Sequence, residues 1–212
     1  MVLFDWAIGL LQDLLTFFYG ITVSLGIANY GLAIILITLA IKLVLYPLTV
    51  KQVKGMKAMQ DLQPKMKELQ EKYKGNTEKL NKEMAILYKD SGVNPLSGCL
   101  PLLVQMPILM GIFFAIRDYQ YAHTPSFFWM TDLSLPDPLY VLPILSAATT
   151  YIQQKQTTTD TNQQAKIMMN LMPLFIGYIS LTFPAGLVLY WVMSNIFQIA
   201  QQWWMYRGAP QK

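Results

Sequence analysis

The sequence predicts an all-α membrane protein: five transmembrane helices, an outer amphipathic interfacial helix and a cytoplasmic helical hairpin. Three observations predict it. The apolar residues fall in five blocks, Ile27–Leu48, Leu96–Ile116, Leu139–Ile152, Ile167–Thr182 and Ala185–Trp204. The 212 residues are 54% hydrophobic and 13% charged, with mean hydropathy +0.34, too apolar for a soluble domain of this size. Basic residues also segregate between alternate loops, which fixes a side for each.

Residues 1–20 open the chain with Leu3, Trp6, Leu10, Leu14, Phe17 and Phe18 on one helical side. Asp5, Gly9, Gln12, Asp13 and Thr16 share the other, the pattern of a helix lying on the outer surface. A sixth, short span is the alternative, opposed by Asp5 and Asp13. These residues lack a basic n-region and a small-residue cleavage site, so a signal peptide is expected in the natural precursor.

Residues 24–49 form the first span, and 50–93 the hairpin. In the hairpin Val53, Met56, Met59, Leu62, Met66, Leu69 and Tyr73 recur every three or four positions. Gly75-Asn76 supplies a turn, and Leu80, Met84 and Leu87 continue on a second helix. The Met-rich stripe either zips the two helices together or offers adaptable contacts. The later segments are a second span at 95–117, an outer loop at 118–138, a third span at 139–154 and an inner loop at 155–165. A fourth span at 166–182, a fifth at 185–205 and a tail at 206–212 complete the chain. The third and fourth blocks are short for a crossing, but no polar remainder is large enough to bury them as core helices.

Charge orients this set. The hairpin is rich in lysine from Lys51 to Lys89, the 155–165 loop and its border hold Lys155 and Lys166, and the tail holds Arg207 and Lys212. The N-terminal segment has only Asp5 and Asp13, and the 118–138 loop has Asp118, Asp132 and Asp137. The N-terminus is therefore expected outside and the C-terminus inside, as an odd number of spans requires.

Lys42 is the odd residue, a charge inside an apolar span. Such a charge costs roughly 2.5–3.5 kcal/mol on insertion scales and faces a wet cavity or a partner. The bland account is that its stem snorkels to the inner interface. No acidic residue lies in any span to neutralise it. Polar residues recur in the spans around it: Thr38 one turn earlier, Gln105 in the second span, Gln153 in the third, and Trp191, Asn195 and Gln198 on one face of the fifth, continued by Gln202. Ser146, Thr149 and Thr150 fit helix–helix glue. Together these point to a positively charged, wet concavity open to the cytoplasm, with Lys42, Thr38, Gln105, Gln153, Trp191, Asn195 and Gln198 as its binding residues.

No catalytic constellation accompanies it. Cys99 and His123 stand alone, and there is no HExxH, GxSxG or phosphate-binding glycine loop, so neither an enzyme nor a metal or cofactor is expected.

The run LQPKMKELQEKYKGNTEKLNKEMAILYKDSGVNPLSGCLPLLVQMP, Leu62 to Pro107, resembles the YidC/Oxa/Alb family of membrane protein insertases. So do IKLVLYPLT before it and PAGLVLYWVMSNIFQIAQQ near the end. The resemblance covers nearly the whole chain. It implies an insertase and chaperone of the bacterial plasma membrane. The implied groove lies in the inner leaflet, open to cytoplasm and lipid and closed outside. Implied partners are nascent membrane proteins and the lipid bilayer, with the ribosome and the Sec translocon as further candidates and no sequence-specific nucleic-acid binding. The family usually has Arg where this chain has Lys42; Lys keeps the charge but not the planar fork. Other members carry a large extracytoplasmic domain or a long basic tail, and a short form without either is expected here. The competing class is a small anion transporter or channel using Lys42, but no inverted repeat supports it.

Overall fold

The computed structural model describes residues 2–94, 100–157 and 163–207. Cys99, the first residues of the predicted second span, 158–162 of the inner loop and the end of the tail lie outside them. The described residues form nine helices: α1 (Val2–Ser24), α2 (Tyr30–Val44), α3 (Tyr46–Asp61), α4 (Gln63–Lys72), α5 (Thr77–Asp90), α6 (Leu100–Arg117), α7 (Val141–Thr157), α8 (Gln163–Ser180) and α9 (Ala185–Arg207). The main packing pairs are α7 with α8 and α9, α9 with α2, and α1 with α2 and α6.

Two prolines divide what the sequence reading ran together. The segment 24–49 is not one helix: the chain bends by 67° between α2 and α3. Pro47 sits in the first turn of α3, where its missing N–H costs nothing, whereas inside a continuous helix its ring would strike the preceding turn. α2 is thereby only 15 residues, about 22 Å long, and Lys42 stands in its last turn. The bend at Leu62 follows the same rule, with Pro64 in the first turn of α4. The 50–93 segment is accordingly three helices rather than two. α4 packs against α5 around Gly75, which has φ +92, and Asn76, whose side chain caps α5 by accepting from the Lys79 N–H at 3.0 Å. α5 buries no residue, whereas α3 buries Thr49, Gln52, Val53 and Met56. In the hairpin the Tyr88 hydroxyl donates to Met66 Sδ at 3.8 Å, and burial pushes its pKa up.

α1 joins the bundle through α2 and α6. It packs lengthwise beside α6: Leu11 lies against Gly111, Gln12 Nε2 donates to the Ala115 carbonyl at 3.4 Å, the Thr16 and Tyr119 hydroxyls bond at 2.8 Å, and Tyr19 meets His123. Leu15 is buried on the packed side, with Leu11 and Phe18 half-buried beside it. Trp6, Leu10 and Phe17 are exposed. Asp5–Ser24, 20 residues, is the only described helix that by itself is long and apolar enough to cross a membrane. The pair α2 and α3 passes that test only jointly.

One end of the bundle is closed by packing. Tyr30 stacks on Tyr19 at 3.9 Å between ring centres, and its hydroxyl accepts from the Ala122 N–H. The 118–138 loop folds inward through Phe127, Met130 and Leu133, all buried. Its Leu133 and Leu135 carbonyls accept the Gly186 and Ala185 N–H groups, supplying partners that the first turn of α9 lacks within the helix. Gly31 is required here, because a Cβ would strike the Phe127 ring. Asp137 is buried and caps α7, accepting from the Leu139 and Leu142 N–H groups and from Trp129 Nε1. The void between α1, α2, α6 and α9 is only about 10 Å³ and is lined by apolar side chains apart from Tyr190.

Candidate functional site

α9 is the axis of the site, because successive residues on it face different neighbours. Tyr190 is fully buried, and its hydroxyl accepts from Gln105 Nε2 on α6 at 3.1 Å. Trp191 Nε1 donates to Thr150 Oγ1 on α7 at 3.0 Å. Asn195 Nδ2, one turn on, donates to Thr149 Oγ1 at 3.2 Å and Thr150 Oγ1 at 3.0 Å. Gln198 Oε1 accepts from Lys42 Nζ on α2 at 3.1 Å. The α9 spacing thus joins α2 and α7 through a polar seam.

Lys42 does not snorkel. It is 8% exposed, and its ammonium has three donors against the one acceptor of Gln198. Among the described residues no carboxylate lies within ion-pair distance; the ion pair there is Arg117–Asp118, at the far end of α6. The C-terminal turn of α2 favours a cation, since the helix dipole is negative there. This offsets part of the cost of burial. A buried charge short of partners remains expensive, and an anionic or strongly accepting group arriving beside it would relieve that cost.

The predicted residues do not all converge. Lys42, Gln198, Asn195 and Trp191 share the seam. Thr38 is fully buried one turn before Lys42, but its hydroxyl donates to its own helix at Ile34 O, 2.6 Å. Gln105 reaches the Tyr190 side of α9 instead. Gln153 is half-buried. Thr149 and Thr150, read from the sequence as helix glue, are the acceptors that orient Trp191 and Asn195. Spacing alone could not separate these roles. Lys42, Gln198 and Asn195 are all buried in the seam, and α3, which follows α2, buries Thr49, Gln52, Val53 and Met56.

This arrangement, apolar helices joined around a buried cation, is that of an integral membrane protein. Residues 21–212 match the family described as 60Kd inner membrane protein, and the chain belongs to that family. It is 46% identical over 212 residues, 98% of this chain, to the membrane protein insertase YidC of Geotalea daltonii. It is 45% identical over 203 residues, 94% of this chain, to the YidC of Haemophilus influenzae. The chain spans 39% and 36% of those two relatives' lengths. Among solved structures, it is similar to an active YidC insertase crystal structure with the first transmembrane domain resolved. That match has a TM-score of 0.74 and 31% identity, covering 92% of this chain and 46% of the other.

Proposed function

We propose that this protein inserts and helps fold nascent membrane proteins in the bacterial inner membrane, using the seam around Lys42 as a half-way site for the polar segment of a guest. The observation that carries the reading is Lys42 itself, a buried cation whose one partner among the described residues is a neutral amide. Insertion requires a hydrophilic, often acidic, stretch to cross the apolar layer. A pre-paid positive charge at low dielectric lowers the desolvation cost of that stretch. The guest's apolar helix then partitions sideways into lipid, driven by apolar burial and, for acidic residues, by the membrane potential.

In this reading α2, α6, α7, α8 and α9 cross the bilayer, with the N-terminus outside and α3–α5 and the C-terminus in the cytoplasm. α1 serves in the outer leaflet, its exposed Trp6, Leu10 and Phe17 towards lipid and Asp5 and Asp13 towards headgroups. The short helices thin the membrane locally. The polar seam opens to cytoplasm and lipid as a groove when a guest arrives, whereas the Tyr30 and Phe127 end stays shut. Guests are nascent membrane proteins, with the ribosome and the Sec translocon as candidate partners.

Liposomes containing only this protein test the reading. Insertion of a single-span guest supports it. Anion flux without insertion would assign the protein to the transporter class instead.

A further inference from the structure

Beyond Gln198, α9 carries polar side chains without a hydrogen-bond partner among the described residues. Gln202, one turn on, is fully buried, and both its Nε2 and Oε1 lack hydrogen-bond partners. Tyr206, a further turn on, has a buried and unpartnered hydroxyl, as Gln201 has an unpartnered Oε1. α7 adds two more, Gln154 Oε1 and Gln156 Oε1. Gln202 and Tyr206, four residues apart, share one face of α9, and Asp61 of α3 lies near Tyr206. Asn195 meets Thr149 and Thr150 of α7 earlier along the same helix. α3 also reaches α7, its Gln60 Nε2 donating to the Gln156 carbonyl at 2.8 Å.

Buried polar atoms are normally paired, and orphans gathered in one spot need a reason. Packing does not require them: an apolar side chain of the same shape would fill the volume without the desolvation cost. The chemistry of the group supplies a reason. A glutamine amide presents the same donor and acceptor as a peptide group, without charge. A cluster of such amides can bond the main chain of a polypeptide of any sequence, which suits a site that must accept many guests.

We propose that the glutamine cluster around Gln202, beneath α3, is a second subsite that hydrogen-bonds the main chain of an extended guest segment on its way to Lys42. This inference rests on the insertase reading and deepens it. Gln202 adjoins Gln198, the partner of Lys42, on the same face of α9, so a strand leaving the amides reaches the ammonium within one helical turn. Lifting α3 uncovers the cluster, and the orphaned amides favour that opening because water or guest satisfies them.

The test uses the full chain in a Cys99→Ser background and a stalled single-span guest with one cysteine in its polar segment. Gln202→Cys and, separately, Trp191→Cys are assayed for disulfide formation with the guest. Gln202→Met is assayed for insertion and for thermal unfolding in detergent. The proposal expects disulfides at both positions, an unchanged or higher Tm for Gln202→Met, and an insertion rate reduced at least fivefold. A disulfide at 191 without one at 202 overturns it, leaving amides that hold internal water only. Wild-type insertion by Gln202→Met overturns it regardless of the cross-links, and a lowered Tm would show that the amide is already satisfied at rest. No disulfide at either position would instead count against the groove itself.

Discussion

The two ends of α9 are built by opposite rules. From Ala185 to Tyr190 every residue is buried, and the first N–H groups are taken by the Leu133 and Leu135 carbonyls. From Ser194 to Tyr206 the inward residues are polar, bonded sparsely at Asn195 and Gln198 and not at all at Gln202. The first end is dense and hydrogen-bonded throughout, so any change to it is felt as lost stability. The second pays for polar burial without collecting the bonds, so it exchanges partners easily. The proposed insertion, in which one side stays sealed while a polar chain enters from the other, makes use of that asymmetry within a single helix.

The largest expected effect is at the sealed end. Gly31→Leu places a side chain where the Phe127 ring lies and must displace the loop. It should cost about 3 kcal/mol or more, read as a fall in detergent Tm of roughly 6–12 °C. Asp137→Leu comes next: it removes acceptors for the Leu139 N–H before α7, the Leu142 N–H in its first turn and the Trp129 indole. A loss of about 2–3 kcal/mol is expected by the same measurement. A change below about 1 kcal/mol at both positions would erase the contrast between the ends.

At the open end the order of effects reverses. Asn195→Leu should change stability by less than about 1 kcal/mol, because Thr149 keeps its bond to the Leu145 carbonyl at 2.7 Å. Insertion should fall several-fold. Deleting Gln63 to Asp90 should be smallest of all in stability, within about 0.5 kcal/mol, since α5 buries nothing and the buried residue of α4, Met66, is bonded by Tyr88 within the deleted segment. Guest recruitment in a reconstituted insertion assay should be lost all the same. Full activity after that deletion would make the hairpin a passive linker.

How much of this could be read from the sequence depends on the kind of signal. Lys42 stood out because a charge interrupts an apolar run, and the Trp191, Asn195 and Gln198 face because polar residues recur at helical spacing. The breaks at Leu45 and Leu62 were signalled by Pro47 and Pro64, but hydropathy runs straight through a bend. The packed side of α1 was not legible. Where lipid replaces water, Trp6 and Phe17 outside and Leu11 and Leu15 inside are equally apolar, so periodicity carries no contrast. The Phe127 loop and the Tyr190 bond to Gln105 depend on contacts between distant segments, which local pattern does not encode. The orphaned amides of Gln202 become visible only when its surroundings are placed.

The central claim is that the Lys42 charge does the work of lowering the crossing cost. It is tested most directly by reconstituting wild type, Lys42→Arg, Lys42→Ala and Lys42→Glu, and measuring insertion of two guests that differ only in the acidity of their outer segment. The account predicts that Arg inserts both as well as wild type or better. Ala and Glu should insert the acidic guest at least tenfold more slowly, with a smaller loss for the neutral one. Equal rates for all four proteins with the acidic guest would contradict it and leave Lys42 as a residue held in place by Gln198 without a part in insertion.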